Sequence, residues 1–309
     1  MYLEISFLIL GLTVLVRSSN ITIDRAAKLS QLSGISQITI GFIFIAVITS
    51  LPELSIGIIS SFQGEGILSL GNIIGANISN LALVLGLMAL IGFNLGKIFS
   101  VQIEQGVIVT TIIAVFLLIF GEVNMGFGIF CLIAFYLFSR SIIRKGFVIY
   151  AVKKGIATFE IIKAAIHLLL AVILVIISAF VVTDSAIKIA NLFGIAESLI
   201  GASILAIGTT MPELSINLAA VKKRNISLAI GDIIGSIITN LTLVLGVIAI
   251  INPIVFGSEI VFVLSSLVII NIIFLYLASR MNFGIRQGIF LLSIYAIYLF
   301  SIFSIGVSI

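Results

Sequence analysis

Long apolar stretches, broken only by short polar connections, run through nearly the whole chain. Windows of about twenty residues, enough to cross a hydrocarbon layer of about 30 Å, place them at roughly 2–18, 37–62, 67–92, 103–121, 126–144, 162–183, 196–220, 227–251, 259–278 and 286–305. The pattern predicts an all-α membrane protein of ten transmembrane helices. Tyr2 to Val16 has no basic region before it and no small-residue cleavage site after it, so it reads as a first membrane helix rather than a signal peptide.

The connections alternate in sign. Arg17, Arg25 and Lys28 follow the first stretch, Lys97 the third, Arg140, Arg144, Lys145, Lys153, Lys154 and Lys163 the fifth, Lys222, Lys223 and Arg224 the seventh, and Arg280 and Arg286 the ninth. The intervening connections carry Glu65, Glu122, Asp184, Glu197 and Glu259, with Lys188 as their basic exception. The positive-inside rule makes the basic connections cytoplasmic. A multi-pass protein of the cell membrane with both termini outside is expected, its basic residues orienting the chain rather than binding nucleic acid.

An internal repeat is the strongest feature. A shift of 160 residues lays 41–92 over 201–252 without a gap, with 22 identities in 52 positions. Thr49 falls on Thr209, Pro52 on Pro212, Glu53 on Glu213, Ser55 on Ser215, Gly71 on Gly231, Gly75 on Gly235 and Asn80 on Asn240. Each copy covers the second and third stretches of a half containing five, so halves 1–150 and 151–309 must cross the membrane in opposite senses. Inverted repeats of this kind are a transporter architecture, with the substrate site near the midplane where the repeats meet.

The matched positions carry the chemistry. Glu53 and Glu213 lie well inside the second and seventh stretches, where a carboxylate costs on the order of 2.5–3.5 kcal/mol and needs a partner. No Lys or Arg lies within the four spans of the repeats, so the natural partner is a cation from solution. Pro52 and Pro212 have no N–H, which frees the carbonyls of Ile48 and Gly208 and predicts broken helices two and seven at the site. Those carbonyls, with the hydroxyls of Thr49, Ser50, Thr209 and Thr210 and two carboxylates, form an all-oxygen set suited to hard cations such as calcium or sodium. Asn72, Ala76 and Asn80, like Asp232, Ser236 and Asn240, are spaced four apart and line one face of spans three and eight. Gly71 with Gly75, and Gly231 with Gly235, have the spacing that lets helices approach closely.

Composition narrows the field further. Hydrophobic residues make up 61% of 309 residues and charged residues 9%, against about 25% charged in a typical soluble protein. One cysteine, Cys131, and one histidine, His167, exclude a disulfide framework, cysteine-rich metal sites and multi-histidine chemistry. Cys131 reads as a packing or lipid-facing residue, His167 as packed or interfacial, and Tyr295 with Tyr298 as interfacial.

The segments Ala-Val-Ile-Thr-Ser-Leu-Pro-Glu-Leu (46–54) with Gly-Asn-Ile-Ile-Gly-Ala-Asn-Ile-Ser-Asn (71–80), and Ala-Ile-Gly-Thr-Thr-Met-Pro-Glu-Leu (206–214) with Gly-Asp-Ile-Ile-Gly-Ser-Ile-Ile-Thr-Asn (231–240), resemble the two alpha-repeats of the sodium/calcium exchanger family. The resemblance implies an antiporter, not an enzyme, that exchanges sodium for calcium by alternately exposing a central site. It assigns calcium to Glu53 and Glu213 with the Thr49 and Thr209 carbonyls. It assigns sodium to the same glutamates with Ser50, Thr210, Ser236 and the Ala46 and Ala206 carbonyls, and with Asn80 and Asn240 at the centre.

Here the chain also departs from the family pattern. Ala76 lacks the hydroxyl common at its position, which puts one sodium position in doubt. Asp232 stands where Asn is usual and adds a titratable group. Asn at both 80 and 240 fits potassium-independent members. Roughly 17 residues join spans five and six, where animal members carry large regulatory domains. Calcium and sodium would be cargo, no cofactor is expected, and a monomer in the lipid bilayer is anticipated. A calcium/proton antiporter of the same fold, using Glu53, Glu213 and Asp232 as proton carriers, is the alternative. An intramembrane acid protease lacks its Gly-x-Gly-Asp signature, since Ala229-Ile230-Gly231-Asp232 has no first glycine. A passive channel would not require two inverted repeats.

Overall fold

The computed structural model describes residues 2–64, 66–91, 101–146, 158–192, 206–280 and 284–305. It is almost entirely helical, and among the described residues eight helical stretches are long and apolar enough to cross a membrane. Helix α1 (Tyr2–Ser33) is followed by α2 (Gln37–Ile40), a π-helical segment (Gly41–Ala46), α3 (Val47–Thr49) and α4 (Leu51–Gln63). Then come α5 (Gly66–Ile78), a second π-helical segment (Ser79–Val84), α6 (Leu85–Leu90), α7 (Val101–Phe120), α8 (Met125–Gly146) and α9 (Thr158–Leu192). The remainder is α10 (Ala206–Thr209), α11 (Met211–Lys222), α12 (Ile226–Thr239), a third π-helical segment (Asn240–Val244), α13 (Leu245–Ile251), α14 (Ser258–Arg280) and α15 (Ile285–Ile305). The apolar part of α7, Glu104–Phe120, falls just short of a full span by length. The expected seventh span, 196–220, lies partly outside the described residues, as does Glu65 at the first repeat's tip.

Two expected spans are longer than predicted. The stretch ending near residue 18 continues as helix to Ser33, and 162–183 extends to Thr158–Leu192. Charged residues such as Arg17, Arg25 and Glu160 end an apolar window, but they do not end a helix, because Arg and Glu are good helix formers. At 1.5 Å per residue these helices reach about 48 and 52 Å, well beyond the hydrocarbon thickness. They pack along each other antiparallel. Gly11 meets Val181 and Val182 near one end, while Arg25 and Lys28 share a pocket with Glu160 and Lys163 near the other.

A short antiparallel ladder between β1 (Glu122–Val123) and β2 (Ile254–Val255) was not anticipated, since two-residue strands leave no hydrophobic period to read. It joins two connections that the charge pattern assigns to one side of the membrane. On the opposite side, Lys223 bridges to Asp24 at 2.7 Å and donates to the Asn20 carbonyl at 2.8 Å, tying the tip between α11 and α12 to α1. The sign alternation and the contacts therefore agree on which connections share a side.

Helices α5 and α12 are the buried axis of the bundle, and every residue of α12 from Leu228 to Thr239 is buried. Glycines make this possible. A Cβ on Gly231 would run into the Ile38 carbonyl, and one on Gly235 would meet Ala46 Cβ and Phe42. On the facing chain, a Cβ on Gly41 would stand 2.5 Å from the Leu228 carbonyl oxygen. The stretch around Gly41 thus packs backbone to backbone on α12. Gly75 differs, since the nearest atom to its would-be Cβ is the Tyr298 hydroxyl at 3.9 Å. Tyr298 and Tyr295 are buried rather than interfacial, and the Tyr295 hydroxyl pairs with Ser79 Oγ at 3.0 Å. A phenol ring enters a membrane interior readily when its hydroxyl finds a partner. Cys131 is a fully buried packing residue.

Gly231→Ala should therefore lower the thermal unfolding midpoint of the detergent-solubilised protein, at a cost of about 1–3 kcal/mol for overpacking against backbone. Gly75→Ala should leave the midpoint nearly unchanged.

Candidate functional site

The local sequence builds the same kink twice. Ser50 (φ −80°, ψ 2°) separates α3 from α4, and Thr210 (φ −90°, ψ 1°) separates α10 from α11, each two residues before a proline in the first helical turn. Proline is accommodated there because the first turn needs no N–H donor. Backbone bonds still flank each kink, Ser50 N–H to Ala46 O at 3.0 Å, Leu54 N–H to Ser50 O at 3.0 Å and Leu214 N–H to Thr210 O at 2.9 Å. The interruption is one residue wide. Pro52 has no donor to offer the Ile48 carbonyl, yet that carbonyl is not left free as expected, because a backbone N–H at the C-cap of α3 donates to it.

Each kink starts a helix whose first turn carries a glutamate. Glu53 and Glu213 are both fully buried. Thr209 lies beside the Glu53 carboxyl group and Thr49 beside that of Glu213, so each repeat lends a threonine to the other's glutamate. Asp232, also fully buried, lies within electrostatic range of Glu213, as does Glu53. Among the described residues, none of the four glutamate carboxyl oxygens has a hydrogen-bond partner, and neither do Ser50 Oγ, Ser236 Oγ, both polar atoms of Asn80 and Asn240 Oδ1. More than about nine in ten buried polar groups are paired in folded proteins. Such a concentration of unpaired oxygens, drawn from both repeats, is what a hard cation would satisfy.

Other expected ligands already have partners. The Ala46 carbonyl accepts the Ser50 N–H at 3.0 Å and the Thr49 hydroxyl at 3.2 Å, which occupies both of its lone pairs. The Thr210 hydroxyl donates to the Ile207 carbonyl at 3.0 Å. Ala206 opens α10, and Ala76 is buried without a polar atom to offer. Among the described residues no group of three His, Cys, Asp or Glu side chains gathers as a metal cluster. The arrangement is two carboxylates among neutral oxygens, with Asp232 a third buried acid near Glu213.

Three asparagines organise the surroundings. Asn72 Oδ1 accepts from the Thr209 hydroxyl at 3.4 Å, joining span three of the first half to the second half's kink. Asn77 Nδ2 donates to the Ile237 carbonyl at 3.0 Å, and its Oδ1 accepts from Asn240 Nδ2 at 3.2 Å. Residues 77 and 237 are the same position in the two repeats, so the repeats touch at equivalent points. Asn217 donates to the Glu213 carbonyl at 2.8 Å and to Asp232 Oδ2 at 2.6 Å. The sequence reading singled out neither Asn77 nor Asn217, because their counterparts are Ile237 and Gly57 and only matched polar positions were selected. For Asn217 a signal existed in its spacing of four from Glu213, which puts both on one helical face.

The sequence profile described as "Sodium/calcium exchanger protein" matches residues 3–143 and 163–304. This chain belongs to the sodium/calcium exchanger family. Inner membrane protein YrbG of Escherichia coli K12 is 30% identical over 274 residues, covering 82% of this chain and 81% of that one. Sodium/calcium exchanger MaX1 of Methanosarcina acetivorans is 26% identical over 347 residues, covering 96% and 98%. The solved structure of the sodium-calcium exchanger NCX_Mj soaked with 10 mM Na+ and zero Ca2+ superposes with a TM-score of 0.85 at 26% identity, covering 97% of this chain and 99% of that one.

Asn77→Ala would strand the Asn240 amide in the core, while the Ile237 carbonyl keeps a backbone N–H at the end of α12. A loss of about 1–3 kcal/mol for that stranded group should appear as a lowered melting temperature. Asn80→Ala removes an amide that pairs with nothing among the described residues and should leave the melting temperature of the ion-free protein close to that of the parent.

Proposed function

We propose that this member of the family is a secondary active antiporter that exchanges sodium for calcium by alternating access at a central site. The observation that carries the reading is the pair of fully buried glutamates, one from each repeat, whose carboxyl oxygens have no hydrogen-bond partner among the described residues. Charge arithmetic agrees. Two ionised carboxylates offer −2, which one calcium ion neutralises and several sodium ions neutralise or slightly exceed. Because both cargoes compete for one set of oxygens, the empty and charged site resists crossing, and this couples the two fluxes.

In this reading calcium sits between Glu53 and Glu213 with the Thr49 and Thr209 carbonyls. Sodium uses the same glutamates with Ser50, Thr210, Ser236, Asn80, Asn240 and the Ala46 and Ala206 carbonyls. The paired carbonyl of Ala46 would have to give up one hydrogen bond to take its ion, and Ala76 would leave one sodium position short of a ligand. Ten spans, two inverted halves at 1–150 and 151–309, and kinked helices two and seven complete the architecture. The basic connections would face the cytoplasm and both termini the exterior. One chain supplies both glutamates, which supports a working monomer. The names carried by MaX1 and NCX_Mj support calcium and sodium as the cargo.

Proteoliposomes loaded with sodium and diluted into sodium-free buffer should accumulate radioactive calcium. Glu53→Gln and Glu213→Gln should each reduce that uptake to the level of protein-free liposomes, and near-normal uptake by either variant would overturn the site. A parallel set carrying only a pH gradient should show no uptake. Uptake there alone would keep the glutamates but make protons the coupling ion, with Asp232 the added carrier.

A further inference from the structure

We infer that a pocket between the basic ends of α1 and α9, apart from the central site, binds a phosphate group, and that its physiological source is the headgroup of an anionic phospholipid. The pocket has a volume of about 280 Å³ and is lined by Arg25, Lys28, Glu160, Lys163, Ala164 and His167. At about 30 Å³ per water molecule that is room for roughly nine waters, ample for a phosphodiester.

Three permanent cations face one carboxylate there. None of Arg25, Lys28, Lys163 and Glu160 is in either ion pair found among the described residues, which join Lys188 to Asp184 and Lys223 to Asp24. The adjacent Asp24 is held by Lys223 at 2.7 Å and is not free to neutralise Arg25 or Lys28. The His167 Nδ1 is engaged by the Lys163 carbonyl at 2.6 Å, which leaves Nε2 as the ring atom available to a ligand. An arginine fork beside two ammonium groups suits phosphate oxygens, which accept bidentate bonds from guanidinium and point charge from lysine.

The surroundings favour a lipid over a free anion. Phe159, Ile162 and Ile166 on α9, and Ile21 on α1, are 68%, 52%, 51% and 44% exposed, so apolar surface that acyl chains can cover adjoins the pocket. Basic pockets between membrane helices on the cytoplasmic side are recurrent headgroup sites. The walls are the two longest helices of the protein, so a headgroup seated there would bridge them.

The test is native mass spectrometry on the full chain in detergent, titrated separately with phosphatidylglycerol, phosphatidylcholine and inorganic phosphate. The parent protein should retain phosphatidylglycerol in preference to phosphatidylcholine. Arg25→Ala and Lys163→Ala should each weaken that retention about fivefold, and Lys222→Ala, a basic change outside the pocket, should not alter it. Glu160→Gln should strengthen retention, a gain that a misfolded protein cannot produce. Inorganic phosphate that binds and displaces the lipid, with the same dependence on Arg25 and Lys163, would keep the site but make a free anion its occupant. Equal retention of both lipids, or a phosphatidylglycerol preference that the pocket variants leave intact, would overturn the inference.

Discussion

Two carboxylates held at the core of an apolar bundle, with no lysine or arginine in the apolar stretches that carry them, set the terms for the rest of the molecule. Fully buried, and with carboxyl oxygens that complete no hydrogen bond among the described residues, Glu53 and Glu213 are costly groups, and the structure around them keeps them together. The prolines place each glutamate in the first turn of a helix, where the positive end of the macrodipole lies nearest and favours negative charge. The glycine seam of α12 lets the kinked segment around Gly41 settle against backbone, which brings the two repeats within reach of each other. Each threonine then stands by the other repeat's carboxylate, so neither half makes the site alone.

Much of this was legible in the sequence because the chemistry is written twice. A lone buried glutamate or proline has many explanations, but Pro52-Glu53 and Pro212-Glu213 in register, followed by matched glycine and asparagine positions, leave few. What escaped was whatever differs between the halves. Asn77 and Asn217 face Ile237 and Gly57 in the alignment, so a search for matched polar residues passes over them, although their hydrogen bonds hold spans three and eight together and tie α11 to Asp232. The lengths of α1 and α9 were also misjudged, since hydropathy reports where lipid is replaced by water and a helix need not stop there. The Tyr295 hydroxyl bond to Ser79 was hidden for a further reason. It joins residues 216 positions apart, and no local pattern encodes such a contact.

The basic residues contribute at two scales. Their distribution along the chain sorts the connections between the two faces, and the Lys223 bridge to Asp24 together with the β1–β2 ladder agrees with that sorting. At closer range, Arg25, Lys28 and Lys163 share one pocket with a single carboxylate, that of Glu160, and are in none of the ion pairs found among the described residues.

The bond between Asn217 and Asp232 exists in one half only, because Gly57 has no side chain with which to reach Asn72. A carrier assembled from two identical inverted halves would have mirror-image end states of equal energy, and it would rest open to either side with the same probability. The repeats of this chain are not identical at that point: Asn217 holds Asp232 in the second copy, and the first has glycine where that asparagine stands, so a carrier built from them would be free of that degeneracy.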